Sequence, residues 1–132
     1  TADSDESDGL SMSVSSTLAE ANFVVFGNNN SSGTTTSNLP SGQSLQKRSS
    51  REWQLEESGT VTVNIKIDIS DATGNNITPA VASNYKLLFK SCTECDFVVN
   101  ATGSSSSGDI ITFSNISIQD GFYSIASTDS NI

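Results

Sequence analysis

Residues 60–69 read Thr-Val-Thr-Val-Asn-Ile-Lys-Ile-Asp-Ile, a strict apolar–polar alternation built on β-branched side chains. A period of two puts Val61, Val63, Ile65, Ile67 and Ile69 on one face of an extended chain. Thr60, Thr62, Asn64, Lys66 and Asp68 take the other face. One buried face and one wet face mark an antiparallel sheet, since parallel sheets covered on both sides carry continuous apolar runs. A second alternation opens the chain. Leu10, Met12, Val14 and Leu18 stand against Ser11, Ser13, Ser15 and Thr17, with Ser16 the one small polar residue on the apolar face.

Further strands are predicted at 23–26, 51–57, 85–90, 97–100, 110–118 and 122–126. In 110–118 the parity changes between Phe113 and Ile116, which predicts a β-bulge near Ser114-Asn115. Ser58-Gly59 and Gln119-Asp120-Gly121 read as hairpin turns. Residues 28–50, 71–83 and 102–108 read as loops, the first longer than compact domains usually carry. No convincing helix is present. About eight short strands predict an all-β fold, an Ig-like antiparallel β-sandwich with an N-terminal extension strand. The chain divides into an acidic arm at 1–9, a donor-type strand at 10–19 and the sandwich at 20–132.

A length of 132 residues fits one domain. Charged residues are only 16% and hydrophobic ones 34%, and Ser, Thr and Asn fill the difference. That mix suits a many-stranded protein with polar loops at an extracellular surface. The formal net charge of −9 repels nucleic acid and anionic membranes. No segment approaches the roughly 20 apolar residues of a membrane-spanning helix, so membrane insertion is not expected. Thr1, in place of an initiator Met, reads as a processed form. Histidine is absent, which removes the commonest general base and most zinc chemistry.

Phe-Val-Val-Phe-Gly-Asn-Asn at 23–29, Arg-Glu-Trp at 51–53 and Tyr-Lys-Leu-Leu at 85–88 occur in that order. Asp-Phe at 96–97, Ile-Thr-Phe-Ser-Asn-Ile at 111–116 and Asp-Gly-Phe-Tyr-Ser-Ile at 120–125 follow. The series resembles the β-sandwich domain of large bacterial cell-surface and adhesin-like proteins over roughly residues 22–127. Where that family usually has an acidic, Gly-containing turn, this chain has Cys92-Thr-Glu-Cys95. No catalytic residues come with the resemblance.

Cys92 and Cys95 are the only cysteines. A redox C-x-x-C wants a βαβ context, and zinc wants two more ligands. A disulfide remains, provided a tight turn brings the Cα atoms within about 7 Å. Such a bond implies an oxidising compartment. Asp3, Asp5 and Asp8 are the candidate calcium ligands, but their spacing departs from that of a calcium loop. The arm therefore reads as solvated, and no metal or cofactor is expected. Asn29, Asn30, Asn76 and Asn100 head glycosylation triplets, and Asn115 heads one inside a strand. Glu52 and Glu56 read as the polar face of a strand rather than as a catalytic pair. Trp53 shares the parity of Leu55 and reads as core.

The expectation is a non-enzymatic, extracellular protein, the structural subunit of a pilus-like filament. Its N-terminal strand, through Leu10, Met12, Val14 and Leu18, would complete the sheet of a neighbouring copy and build a homopolymer. The alternative is a cell-surface adhesin or binding module, with calcium as a candidate stiffening ion, that recognises glycan or protein through its loops.

Overall fold

The structure is a computed structural model and describes residues 4–7, 9–15, 18–19, 21–79, 81–130 and 132. The first sheet joins β1 (Ser4–Ser7), β2 (Leu10–Val14), β7 (Thr62–Asp68), β11 (Ile110–Ser117) and β10 (Ser105–Ser107) in that order. The second contains β3 (Phe23–Asn28), β4 (Thr34–Thr35), β5 (Lys47–Ser49), β6 (Trp53–Ser58), β8 (Tyr85–Lys90), β9 (Val98–Thr102) and β12 (Gly121–Ser127). Every pairing is antiparallel, and the chain is an Ig-like β-sandwich. The eight strands of five or more residues are the eight expected from the sequence.

The alternating side chains fill the space between the sheets. Val63, Ile65 and Ile67 of β7 meet Ile111, Phe113 and Ile116 of β11 on the first sheet, all buried. Trp53, Leu55, Tyr85, Leu87, Tyr123 and Ile125 are their buried counterparts on the second. The predicted bulge is present: the β7–β11 register shifts between Phe113 and Ile116. Asn115 there has a φ of 56°, and its N–H donates to Asn64 Oδ1 at 3.0 Å. One extra residue restores Ile116 to the core face.

Strand β12 organises the second sheet. Along one edge it pairs with β8 from Phe122 to Ser127. Along the other it pairs first with β6 at Gly121–Tyr123 and then with β5 at Ala126 and Ser127. Where the partner changes, the ladder has a gap. The buried hydroxyl of Ser124 fills it, sharing its proton between the carbonyls of Ser49 at 3.1 Å and Arg51 at 3.0 Å. A buried carbonyl without such a donor would cost about 1–3 kcal/mol.

Several sequence expectations are corrected. Strand β2 ends at Val14 rather than Leu18, although Ser15 N–H still donates to Thr62 O at 3.1 Å. Ser16 and Thr17 lie outside the described residues, and Leu18 is half-buried against the core. The arm at 1–9 is not simply solvated, since Ser4–Ser7 forms β1 and pairs with β2. The turns at Ser58-Gly59 and at Gln119–Gly121 are not hairpins. Each carries the chain from one sheet to the other, because β6 and β12 belong to the second sheet and β7 and β11 to the first. At the second corner Gln119 N–H donates to the Tyr123 hydroxyl at 3.0 Å, a tyrosine-corner arrangement. Ile69–Thr73 is a short helix, α1, capped by the Asp68 carboxylate on Asp71 N–H and closed by Gly74 at φ 77°. The strand expected to run to Ile69 stops where that cap begins.

The segment 28–50 is longer than a connection needs because it adds β4 and β5 to the second sheet and, between them, forms a third layer. Its Leu39 and Leu45 pack on the outer face of the second sheet, over Leu88, Ala126 and Phe97.

The strand expected to act as a donor pairs with its own chain here. Strand β2 lies against β7 of its own chain, with Leu10 opposite Ile67 and Met12 opposite Ile65. Leu10 is 0% exposed and Met12 6%. Within one chain, that pairing buries the apolar face of β2.

Candidate binding groove

The outer face of the second sheet beside that third layer is uncovered and concave. Residue parity builds it. Trp53 and Leu55 point inward from β6, so Glu52, Gln54 and Glu56 form a row on the outside. On β12, Tyr123 points inward and Phe122 outward. On β3, Gly27 pairs with Gln54 and offers no side chain. A Cβ built on Gly27 meets nothing within 4 Å, and its φ is not positive. That glycine is therefore not required by the backbone; it leaves a floor open. The resulting groove measures about 590 Å³ and is lined by Gly27, Asn28, Glu52, Gln54, Thr93 and Phe122, among others.

A charged cluster supports one wall. Lys90 is buried, and its Nζ lies 3.0 Å from Glu52 Oε2 and 3.1 Å from Thr93 O. Arg48, also buried, places Nη2 at 3.5 Å from Glu52 Oε1 and donates from Nε to Ser37 O at 2.8 Å and from Nη1 to Ser49 O at 2.9 Å. Both cations lie over the Phe97 ring, Arg48 at 4.9 Å and Lys90 at 4.7 Å, and Lys90 is 5.6 Å from the Phe122 ring. Burial lowers the Arg48 pKa, and Glu52 works against that shift. With carbonyls and a carboxylate meeting these donors, the cluster is a strut between the sheet and its third layer.

Cys92 and Cys95 form the expected disulfide, with Cα atoms 5.1 Å apart. The bond closes the tip between β8 and β9, and Cys95 N–H donates to Cys92 O at 3.2 Å. This loop sets Thr93 at the groove wall through Lys90. Asn38 ties the same loop to the third layer, donating to Cys95 O at 3.1 Å and accepting from Phe97 N–H at 2.9 Å.

The other residues singled out from the sequence fall elsewhere. Asn29 is exposed, but its amide donates to Ser50 O at 3.3 Å and accepts from Glu52 N–H at 3.1 Å, which ties it into the fold. Asn30 and Asn76 are exposed, and Asn100 is half-buried in β9. Asp3 and Asp8 lie outside the described residues, and Asp5 belongs to β1. Among the described residues no group of three or more metal-ligating side chains converges. Asp68, Asp71 and Asp109 do lie close. The Asp68 pKa is raised, first by lost hydration and then by the charges of Asp71 and Asp109, while backbone N–H bonds oppose the rise. Asp120 accepts from Glu57 N–H at 2.8 Å, and Glu57 from Val61 N–H at 3.3 Å, so both brace corners of the sandwich.

One family profile matches residues 5–122 and is described as "Domain of unknown function (DUF8202)". The chain belongs to the DUF8202 family. The match begins within β1 and ends within β12, so the DUF8202 domain includes the N-terminal hairpin together with the sandwich. No curated protein and no solved structure matches the chain. Among the described residues no helix is long and apolar enough to cross a membrane.

Sequence reasoning placed Glu52, Gln54 and Glu56 on a polar strand face but did not see the groove. Two signals pointed to it. Gly27 follows directly on the strand-forming run 23–26, and a glycine in or beside a strand often marks close approach by a ligand or backbone. Phe122 is apolar on the parity opposite to Tyr123.

Proposed function

We propose that this chain is a non-catalytic extracellular binding module whose ligand lies in the groove over Gly27. The observation that carries this reading is the groove itself, an open glycine floor between a polar row and an outward Phe122. Pockets of roughly 300–1,000 Å³ with convergent polar groups are the usual size for small-ligand or chain-segment recognition. The disulfide supports an oxidising compartment. Glu52 is engaged by cations, and Glu57, Asp68 and Asp120 by backbone N–H groups.

The second reading is a filament built by strand exchange. It keeps one support: the β1–β2 hairpin lies at one edge of the first sheet and joins it through β7, so the same ladder formed between copies would link them.

Gly27→Trp separates the two readings. The site has room for a side chain and strand-compatible backbone, so the variant should melt with the wild type. It should also fill the groove. Native gels cast with soluble polysaccharides, together with a peptide array, should show binding by the wild type that Gly27→Trp loses. Absence of any binding, with sedimentation showing polymers, would put the filament first.

A further inference from the structure

We infer that the groove recognises an uncharged, hydroxyl-rich chain, a neutral polysaccharide. This deepens the binding-module reading and rests on it. The argument is one of charge and surface chemistry at the groove wall.

Among the described residues that line the groove, no cation meets an anionic ligand. Lys90 stands behind the groove wall, beside Glu52, Thr93 and Phe122. It is 6% exposed, and its protons go to Glu52, to Thr93 O and toward the Phe97 and Phe122 rings. The chain's formal charge of −9 adds a repulsive field. A cationic peptide is drawn by the same field but finds little uncompensated charge at the groove wall itself. The Glu52 carboxylate is already offset by Lys90 and Arg48. Among the described groove-lining residues that leaves Glu56, whose Oε1 accepts from Gln54 Nε2 at 3.4 Å.

What remains is a nearly neutral set of donors and acceptors beside an aromatic ring. Gln54 offers both an N–H donor and a carbonyl acceptor, and Glu56 offers acceptors. Successive outward side chains on β6 repeat at roughly 6.8 Å, twice the rise of an extended residue. A polymer bearing hydroxyls at short intervals can use such a row. The apolar face of a sugar ring can lie on Phe122, and Gly27 lets that ring approach the sheet. The groove is open, so a longer chain can continue past either end.

The test uses the full chain and titration calorimetry. The probes are neutral hexasaccharides (β-1,4-glucan, β-1,3-glucan and xylan), a hexauronate and a lysine-rich decapeptide, each at low and high salt. At least one neutral hexasaccharide should bind with an affinity that salt does not change. Phe122→Ala should weaken it roughly tenfold, as expected for losing an aromatic contact at the centre of a site. Gly27→Trp should abolish it, while a Ser106→Ala control on distant β10 leaves it unchanged. Salt-sensitive binding of the uronate or the peptide, lost in Gly27→Trp, would overturn the neutral-chain inference and leave the binding-module reading standing. Binding of a neutral sugar that ignores Gly27→Trp and Phe122→Ala would overturn the groove as the site. Binding of no probe would overturn the inference, and the peptide array and polysaccharide gels would then decide the broader reading.

Discussion

Replacing Leu10 with Ala should destabilise the isolated monomer by roughly 3–4 kcal/mol. Leu10 is 0% exposed and lies opposite Ile67 on β7. The substitution removes three carbons, and burial contributes about 0.8 kcal/mol for each, or roughly 2.4 kcal/mol. Sheet neighbours on both sides restrict collapse of the space left behind, and the cavity term brings the total to about 3–4 kcal/mol. That is a large share of the 5–15 kcal/mol typical of a whole domain. At about 3–4 °C per kcal/mol for a chain of this size, melting should fall by roughly 12 °C. Urea unfolding followed by fluorescence suits the measurement, because Trp53 is the only tryptophan and is buried. Ser11→Ala, on the outward parity of the same strand, should stay within about 0.5 kcal/mol. The reasoning fails if Leu10→Ala leaves the urea midpoint of the monomer unchanged while preventing self-association. That result would mean the strand is buried only in a neighbour.

Two other predictions concern the loop and the acidic cap. Converting both Cys92 and Cys95 to Ser should lower stability by no more than about 2 kcal/mol, because the closed loop is so short; calorimetric melting checks this, and a larger loss would mean the bond also holds the third layer through Asn38. Asp68→Asn should keep the helix cap while removing repulsion from Asp71 and Asp109. A carboxyl whose folded pKa is raised favours the folded state when protonated, so its contribution is present at low pH and is lost as pH rises through the folded value. The wild type should therefore lose stability relative to Asp68→Asn as pH climbs out of the ordinary carboxylate range. Urea midpoints for both chains across that range would show it, and parallel curves would refute it.

The sheet face of each long strand was legible because alternation is a local property. Val61 to Ile69 named its own buried face, and the parity fault at Ser114-Asn115 named its own bulge. Which strands pair was less legible. Ser58-Gly59 signals a reversal, but a corner between sheets and a hairpin within one use similar residues. Gly59 sits at φ 77°, where a Cβ would strike the Asn22 side chain, and that packing across the corner comes from distant sequence. The third layer was hidden for the same reason. Leu39 and Leu45 are isolated apolar residues in a polar segment, and their partners Leu88 and Ala126 lie far along the chain. The groove needed three elements at once: Gly27 on β3, the row on β6 and Phe122 on β12. The N-terminal strand was recognised as apolar and in need of a partner. Nothing local to residues 10–14 could state that the partner would be β7.

The most direct test of the account is an amide-resolved NMR titration of the full chain with the neutral hexasaccharide that binds best. Shifts should concentrate at Gly27, Asn28, Gln54, Thr93 and Phe122, with the β1–β2 hairpin unmoved. Shifts confined to the loops at the opposite end, or none at saturating sugar, would contradict the claim that the outer face over Gly27 is the binding site.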